Sequence, residues 1–590
     1  MRGTKWQDMG ASRTYDRGVA VVFLSAMLEP SAFSASGVFV TMRIVKWSRK
    51  AIFALLSFLA LLGTAQAQNY DLAILNGRVM DPESGLDAVR NVGIKDGNIV
   101  VVTGTKINAS ETIDATRHVV APGFIDLHVH GQEPFATKLM LRDGVTSPLE
   151  IEAGAFPVSD YYDERQGKSQ ANYGASVGHV WARLAAMDGV DPLGLGLYSD
   201  AINKTAADGS KWSTERSTPD ELKAILAKVD KGLRDGGIGL SFPVGYYTAV
   251  GSPEVQAVAG LAKQYDCFIS THVRYLAQIP PSGYLGVEEL MSVALTNDVP
   301  LIVHHVPSNC LALTPDCLDL IDQAQKAGHK VAGEFYPYTA GSSIIGADYL
   351  APGFQERTGM DYKDITYVKT GETMTKELLA KYRKQDPGGL MIMHHIKEED
   401  MLAAFKREGV FVGSDGVPFT DDKGGIPGWD APYGVGNGHP RGAGTHAKVL
   451  RLIREKNVIP LMDGIAKLSY LQAKFLEDMV PDMKLRGRLK PGAVADITIF
   501  DPATVTDNAT FDKGKNSLPS TGIPYVIVNG TVVVKDSEVL KDVYPGQPIR
   551  NAVLFPAAVA PFDVGREKSV ALVEDIENLD QPIIAIIAPI

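Results

Sequence analysis

Residues 120–131 read VAPGFIDLHVHG and combine a turn, an apolar run and two histidines. An Ala-Pro-Gly turn signal (121–123) leads the chain into an apolar run, Phe124–Leu127. His128 and His130 follow two positions apart, and residues at that spacing in a β-strand point to the same face. Because the apolar flank indicates a buried strand, the two imidazoles are predicted to converge on one metal ion at the end of that strand. A pair of polar residues on a solvated strand is the alternative.

Composition narrows the class of protein. A chain of 590 residues with 45% hydrophobic residues suits one large enzyme domain with an accessory domain. The formal net charge of −11 and the lack of a basic patch argue against nucleic-acid binding. Its cysteines, Cys267, Cys310 and Cys317, are too few for a disulfide framework or a cysteine-based zinc site. The latter two are close enough in sequence to pair, with free thiols as the alternative.

The N-terminal region, residues 1–67, is predicted to be an over-extended start followed by a signal peptide. Residues 42–50 (MRIVKWSRK) are positively charged, and residues 51–62 (AIFALLSFLALL) form a short apolar segment. Ala65–Gln66–Ala67 matches a cleavage site, so the mature chain is expected to begin near Gln68. The protein is therefore expected to be exported, periplasmic or secreted, with no membrane span after cleavage. An uncleaved anchor is the alternative.

Short strands separated by turns flank a long middle region. They are predicted at Asp71–Gly77, Val92–Lys95, Ile99–Val102, Ala495–Phe500, Tyr525–Val528 and Thr531–Val534. The first of these ends in Asn-Gly, a hairpin-turn dipeptide. Residues 68–120 and 491–550 are therefore predicted to form one small β-sandwich from both ends of the chain. The sequence predicts no particular structure for the tail, residues 551–590.

The middle region, residues 121–490, alternates strands with helices. Strands are predicted at Ile238–Phe242, Phe268–His272 and Leu301–His305, and helices at Pro219–Lys231, Glu254–Tyr265 and Val287–Asn297. This alternation predicts an α/β fold of parallel units, most economically a TIM-like (β/α)8 barrel. Catalytic residues of such a barrel lie at the carboxyl ends of its strands.

Histidines and carboxylates follow the predicted strands. They are His128 and His130, Glu150 and Glu152 in LEIE, His272, His304 and His305, and Asp415 in GSDG. Taken singly, each is more often structural than a metal ligand. Together at successive strand ends, nitrogen and oxygen donors of this kind favour a divalent metal, above all zinc.

These residues give the chain a resemblance to the amidohydrolase superfamily and, within it, to the D-aminoacylase branch. The shared motifs are PGFIDLHVH (122–130), DGVT (143–146), THVR (271–274), EFYPY (334–338), GSDG (413–416), HPRGAGT (439–445) and GRLKPG (487–492). They occur in family order, and the resemblance spans residues 70–545. It implies metal-dependent hydrolysis of an amide bond in a small molecule.

The resemblance also implies the metal ligands. Carried over by position, His128, His130 and Asp415 would hold one ion, and His272 with His305 would hold another. His304 remains an alternative to His305, because a slip of one residue reverses the face of a strand.

The chain departs from the branch at the bridging ligand. D-aminoacylases typically carry a cysteine after the second strand, where this chain has Ala153. Since a carboxylate can also bridge two cations, Glu152 is expected to take this role, with Glu150 as the alternative. One or two Zn²⁺ ions are expected, other divalent ions being alternatives.

The activity implied by the resemblance is deacylation of N-acyl-D-amino acids, and LEIE resembles a subgroup of D-glutamate deacylases. Asp415 would act as general base towards a metal-activated water. Arg274, with Tyr336 or Tyr338, is predicted to bind a substrate carboxylate, and a structural ion pair is the alternative for Arg274. Other readings are a cyclic amidase, a dipeptidase, a hydrolase of amide-linked toxins, or a non-catalytic homologue, which the complete ligand set disfavours.

Overall fold

The structure, a computed structural model, describes residues 70–190, 192, 203, 205 and 209–551. The predicted signal segment, residues 1–67, and all but the first residue of the tail lie outside the described residues. All described residues belong to one unit that starts at Ala67. Within this described part, no helix has the length and apolar character needed to cross a membrane.

Five strands come first along the described chain. They are β1 (Tyr70–Asp81), β2 (Leu86–Lys95), β3 (Asn98–Thr103), β4 (Ala109–Asp114) and β5 (Val119–Pro122). Asn76 and Gly77, which predict a hairpin turn, instead lie at a bulge inside β1. The strand continues because asparagine tolerates the left-handed backbone, here with a φ of 61°, so one irregular residue is absorbed. The predicted end of this strand at Gly77 is therefore wrong.

Eight parallel strands form the predicted TIM-like barrel. The first seven are β6 (Phe124–Asp126), β7 (Val145–Ala155), β8 (Gly174–Gly178), β9 (Gly239–Phe242), β10 (Phe268–Thr271), β11 (Leu301–Val303) and β12 (Val331–Phe335). A three-stranded antiparallel sheet is inserted next, formed by β13 (Gly341–Ile344), β14 (Ile365–Tyr367) and β15 (Leu390–Met393). The eighth barrel strand, β16 (Val410–Val412), pairs with β12.

The first and last barrel strands meet just beyond their ends. Val129 pairs in parallel with Gly416, and the His130 N–H donates to the Gly416 carbonyl over 2.8 Å. The barrel is therefore nearly closed, and the segments that carry the first and last candidate ligands are joined directly.

Helices surround the strands. They are α1 (Pro134–Arg142), α2 (Val158–Arg165), α3 (His179–Met187), α4 (Lys211–Thr214), α5 (Pro219–Arg234), α6 (Ser252–Gln264), α7 (Gly283–Asn297), α8 (Val306–Cys310), α9 (Thr314–Lys326), α10 (Phe354–Thr358), α11 (Lys376–Gln385), α12 (Glu398–Lys406), α13 (Arg441–Lys456), α14 (Leu461–Ile465) and α15 (Leu471–Leu476). At the start of α5, Thr218 and Glu221 form a capping box, which satisfies two otherwise unpaired N–H groups. The same helix buries Ile225, Val229 and Leu233, which the four-residue spacing places on one face.

The last strands return to the first sheet. They are β17 (Ile497–Phe500), β18 (Tyr525–Val528), β19 (Thr531–Lys535) and β20 (Glu538–Val539). Antiparallel pairing of β5 with β17 joins both ends of the described chain in one nine-stranded sheet. Val120 and Ile497 belong to the hydrophobic cluster that the two halves share. The predicted contribution of both chain ends to one β-structure is thus confirmed, with all nine strands in one sheet.

Apolar side chains fill the barrel interior. The barrel strands contribute Ile125, Leu149, Ile151, Phe268, Ile302, Ala332 and Phe411. Ile238, just before β9, and Phe475 and Leu476 of α15 complete this cluster. The interior is therefore a packed core, as in other barrels of this type. The polar ligand candidates gather beyond it, at the carboxyl ends of the strands.

Candidate metal centre

Four side chains at the carboxyl ends of the strands form what we call the first donor group: His128, His130, Glu152 and Asp415. The Nε2 atoms of the two histidines are 3.2 Å apart. Glu152 Oε2 lies 3.3 and 3.1 Å from these nitrogens, and Asp415 Oδ1 lies 3.5 and 3.4 Å from them. A tetrahedral zinc ion with bonds of about 2.0–2.1 Å separates neighbouring ligand atoms by about 3.3–3.4 Å. The donor atoms fit such an ion.

Glu152 also belongs to a second donor group, with His272 and His305. Its Oε1 atom lies 2.9 Å from His272 Nδ1 and 3.1 Å from His305 Nε2. All three side chains are buried. Because one carboxylate directs one oxygen to each group, Glu152 stands where a ligand bridging two ions would stand.

The neighbouring Glu150 has a different position. Its Oε1 atom accepts the backbone N–H groups of residues 152, 153 and 154 at 3.0–3.3 Å, where β7 departs from regular pairing. Its Oε2 atom lies 2.7 Å from His130 Nδ1. Glu150 therefore shapes the strand end and orients His130, while Glu152 reaches the centre.

The adjacent histidines also diverge. His304 Nδ1 lies 2.6 Å from Glu334, away from Glu152, which His305 contacts instead. His305 has a left-handed backbone with a φ of 32°, which turns its side chain out of the strand pattern. Asp415 is also left-handed, with a φ of 51°. Such strain in residues other than glycine concentrates at functional sites.

Sequence reasoning missed the role of Glu334. Its carboxylate, fully buried at the end of β12, joins His128 Nδ1 at 2.8 Å to His304 Nδ1. A carboxylate partner of this kind fixes the orientation of a histidine ligand. The signal was available, because Glu334 is the single charge in an otherwise apolar strand, and a buried charge needs a partner. Gly413 permits this contact, since a Cβ there would lie 2.6 Å from the Glu334 carboxyl carbon.

Replacing Glu334 with glutamine should weaken Zn²⁺ binding at the first donor group by about 10- to 100-fold, because His128 loses its carboxylate partner. Equilibrium dialysis against graded zinc concentrations measures this change. Glu111→Gln, an exposed glutamate on β4, is the control and should bind zinc as the parent protein does. Unchanged zinc affinity in Glu334→Gln would show that Glu334 does not orient His128.

Neighbouring positive groups lower the pKa values of the two carboxyl groups in the first donor group. Burial would raise the pKa of Glu152, but His128, His130 and His272 lower it well below its usual range. Burial also opposes ionisation of Asp415, yet Arg441 and His128 lower its pKa. Both carboxylates are therefore held in the charged form, in which carboxylates ligate metal ions.

Arg441 contacts Asp415 directly. Its Nη2 atom lies 2.7 Å from Asp415 Oδ1, and its Nε–H donates to the Asp415 carbonyl over 2.6 Å. The guanidinium lies 4.6 Å from the centre of the Tyr336 ring. His439 supports this loop by donating from Nε2 to the Ala340 carbonyl and accepting the Arg441 N–H at Nδ1. Sequence reasoning assigned neither residue any chemistry, and the structure makes Arg441 the group that positions Asp415.

The three predicted substrate-binding residues lie in different settings. Arg274 forms two hydrogen bonds with Glu289, at 2.8 and 2.6 Å, and donates a third to the Thr248 carbonyl. This is the ion-pair alternative. Tyr338 donates to the Pro440 carbonyl and packs under Lys448, so it supports the loop. Tyr336 lies nearest the donor groups, with its ring 6.4 Å from that of His305 and its hydroxyl buried.

Arg274→Ala should therefore lower stability and leave substrate affinity largely unchanged. Loss of this partly buried, doubly hydrogen-bonded ion pair should cost about 1–3 kcal/mol of unfolding free energy. Chemical denaturation measures the first effect and KM the second. A rise in KM well beyond about threefold, with stability intact, would restore the substrate-binding role.

His394 and His395 form another adjacent pair, directly after β15. His395 Nδ1 donates to the Met393 carbonyl, and its Nε2 atom lies 3.1 Å from Ser308 Oγ. Burial lowers the pKa of His395 to about 4, so it is neutral at pH 7. Neither residue belongs to a donor group among the described residues.

A cleft of about 1080 Å³ reaches the first donor group at His130. Phe156, Tyr161, Tyr367 and Trp429 are among the side chains that line it. A cleft of this size can hold a small organic molecule.

Comparison with known sequences gives related enzymes over most of the chain. An N-acyl-D-glutamate deacylase of Alcaligenes xylosoxydans xylosoxydans is 28% identical over 514 residues, which cover 79% of this chain and 94% of that protein. A D-aminoacylase of the same organism is 24% identical over 518 residues, covering 80% and 95%. A dihydroorotase of Streptococcus pneumoniae serotype 4 is 34% identical over 203 residues, covering 34% of this chain and 42% of that enzyme. No family model matches the chain.

Solved structures share the fold. The N-acyl-D-glutamate deacylase from Bordetella bronchiseptica, complexed with zinc and a phosphonate inhibitor, superimposes with a TM-score of 0.65 at 24% identity, covering 82% of this chain and all of that one. A D-aminoacylase described as defining a novel subset of amidohydrolases gives 0.64 at 24% identity, with the same coverage. The chain is therefore similar over most of its length to two curated deacylases, and its fold is that of the solved D-aminoacylase structures.

Proposed function

We propose that this protein is a metal-dependent hydrolase that removes the acyl group from N-acyl-D-amino acids, with N-acyl-D-glutamate as the first substrate to test. One observation carries the proposal: Glu152 directs one oxygen to each of two histidine groups. The names of the two deacylases aligned along the chain support the substrate class.

The ligand assignment follows the two donor groups. His128, His130 and Asp415 would hold one divalent ion, His272 and His305 would hold a second, and Glu152 would be shared. Nitrogen and oxygen donors in this arrangement suit Zn²⁺. When bound, such an ion polarises an amide carbonyl and lowers the pKa of water to about 7, which supplies a nucleophile at neutral pH.

The protein's own groups account for the proton transfers. Asp415 is ionised, so its carboxylate can accept a proton from the attacking water and return it to the leaving amine. Arg441 holds that carboxylate in place through Oδ1, the oxygen that also faces the two histidines. The buried Tyr336 hydroxyl is the candidate donor to a polar group of the substrate.

The test combines metal analysis with hydrolysis. Protein purified from Gln68 onward is analysed for metals and assayed with N-acetyl-D-glutamate and its L-enantiomer, with and without a chelator. We expect bound zinc and chelator-sensitive release of D-glutamate. Bound metal without cleavage of either enantiomer would reject this substrate, but the broader proposal of a metal-dependent hydrolase would stand. Failure to bind metal even after reconstitution would reject the proposal and favour a non-catalytic homologue.

A cyclic amide is the second candidate substrate. The dihydroorotase alignment and the likeness to an L-hydantoinase structure, at a TM-score of 0.52 and 18% identity, favour including it. Dihydroorotate and a hydantoin should be assayed beside the N-acyl amino acids. If either ring opened faster than the N-acyl amino acid was cleaved, the cyclic amide would replace the N-acyl-D-amino acid as the proposed substrate.

We also propose that the protein is exported. The signal-like segment predicts this, and the disulfide between Cys310 and Cys317 supports it, because disulfides persist in oxidising compartments. Cell fractionation and N-terminal sequencing test the proposal. Export with a mature N-terminus near Gln68 is expected, and an intact N-terminus on cytoplasmic protein would reject it.

A further inference from the structure

The Cys310–Cys317 disulfide lies at the end of the segment that begins with His305. We infer that this disulfide is a positioning device for the second donor group, because it holds His305 where it can ligate a metal ion. The inference rests on the proposed function, since it requires the two-ion centre described above.

The segment between His305 and the disulfide is too short to hold its own shape. α8 contains five residues, and a helix of that length is unstable alone, because nucleation costs more than so few hydrogen bonds return. Both flanking residues also have positive φ values, 32° at His305 and 53° at Leu311. Residues other than glycine hold this conformation only where the surrounding structure enforces it.

The disulfide supplies that enforcement at the far end of α8. Cys310 is the last residue of α8, and Cys317 lies in α9, a helix of 13 residues that packs against β12. Both cysteines are fully buried. The short helix is therefore covalently tied to a long helix of the barrel wall.

α8 is buried over its whole length, and Val306 lies in the main hydrophobic core. The polar contacts of α8 are fewer. The Ser308 N–H donates to the His305 carbonyl over 2.8 Å, and Ser308 Oγ lies 3.1 Å from His395 Nε2. At the start of the segment, His305 Nε2 lies 3.1 Å from Glu152 Oε1. Releasing the far end would let the left-handed turn at His305 relax, and this contact would lengthen.

The first donor group shares only Glu152 with the second, and none of its residues lies in this segment. His128, His130 and Asp415 follow β6 and β16, the two strands that meet at the barrel seam, and Arg441 and Glu334 contact them there. Loss of the disulfide should therefore affect the two ions unequally. This difference separates a positioning role from a general contribution to stability.

The experiment measures metal binding without relying on turnover. Metal-free wild-type protein and the double variant Cys310→Ala with Cys317→Ala are titrated with Co²⁺ by calorimetry. The second ion should bind about 10- to 100-fold more weakly to the variant, and the first within about twofold of wild type. Cys267→Ala, which removes the buried free thiol, is the matched control and should bind both ions as wild type does. His305→Ala sets the reference for loss of the second ion.

Each other result overturns the inference. Unchanged binding of both ions to the double variant would do so while the proposed function stands. Equal weakening of both ions would show general destabilisation instead. Wild-type protein that binds fewer than two ions would remove the two-ion centre and the inference with it. If the double alanine variant does not fold, Cys310→Val with Cys317→Ala fills the lost volume and is judged by the same criteria.

Discussion

Asp415→Asn should lower kcat by about 10²- to 10⁴-fold, the range usual for loss of a general acid–base group. Asparagine keeps the shape of the side chain but cannot accept and return the proton. It also replaces a charged oxygen donor, 3.4–3.5 Å from two histidine nitrogens, with a neutral amide. Steady-state kinetics on the N-acyl-D-amino acid measures the change, and elemental analysis shows whether metal is retained.

The backbone should accept this substitution, because asparagine tolerates the left-handed conformation that Asp415 adopts. Asp298→Asn is the matched control, since Asp298 is also left-handed, with a φ of 53°, but is exposed and precedes β11, whereas the donor groups follow the barrel strands. The control should retain full activity. If Asp415→Asn kept more than about a tenth of the parent kcat, Asp415 would not be the base.

Glu152→Gln should cost the protein its second ion and lower kcat by about 10²-fold or more, since metal-derived charge stabilisation is worth several kcal/mol. Glutamine is neutral and has one carbonyl oxygen, so it cannot direct a charged oxygen to each donor group. Its amide nitrogen would instead face a histidine nitrogen. Metal stoichiometry by elemental analysis, measured beside kcat, tests both parts of this prediction.

Glu150→Gln is the informative comparison, because Glu150 lies two residues away on the same strand and was the alternative bridge. It accepts three backbone N–H groups and contacts His130, so its loss should weaken the first ion and leave the stoichiometry at two. The opposite order, with Glu150→Gln losing an ion and Glu152→Gln keeping both, would exchange the two assignments.

The barrel and most candidate ligands could be predicted from sequence because they depend on local patterns. Alternation of apolar strands with helices such as α5 requires parallel units, and His128 and His130 share a strand end through their spacing. The β-domain was also predictable, since strand-like segments at both ends need a common partner. The predicted strand end at Gly77 was wrong because Asn-Gly is as compatible with a bulge as with a turn.

Tertiary structure alone decided which polar groups pair. Glu334 and His128 are 206 positions apart in the sequence, and Asp415 and Arg441 are 26 apart. Neither pairing can be recognised from a local sequence pattern. Arg274 could equally have faced a substrate until the structure placed Glu289 beside it.

Residue types and spacing therefore identified the chemical inventory of the site: the histidines, the carboxylates and the order of the strands that carry them. Packing in three dimensions makes His305 reach Glu152 while His304 turns to Glu334, because one left-handed residue redirects a side chain. Such choices depend on packing between segments remote in the chain, and residue spacing carries no record of that packing.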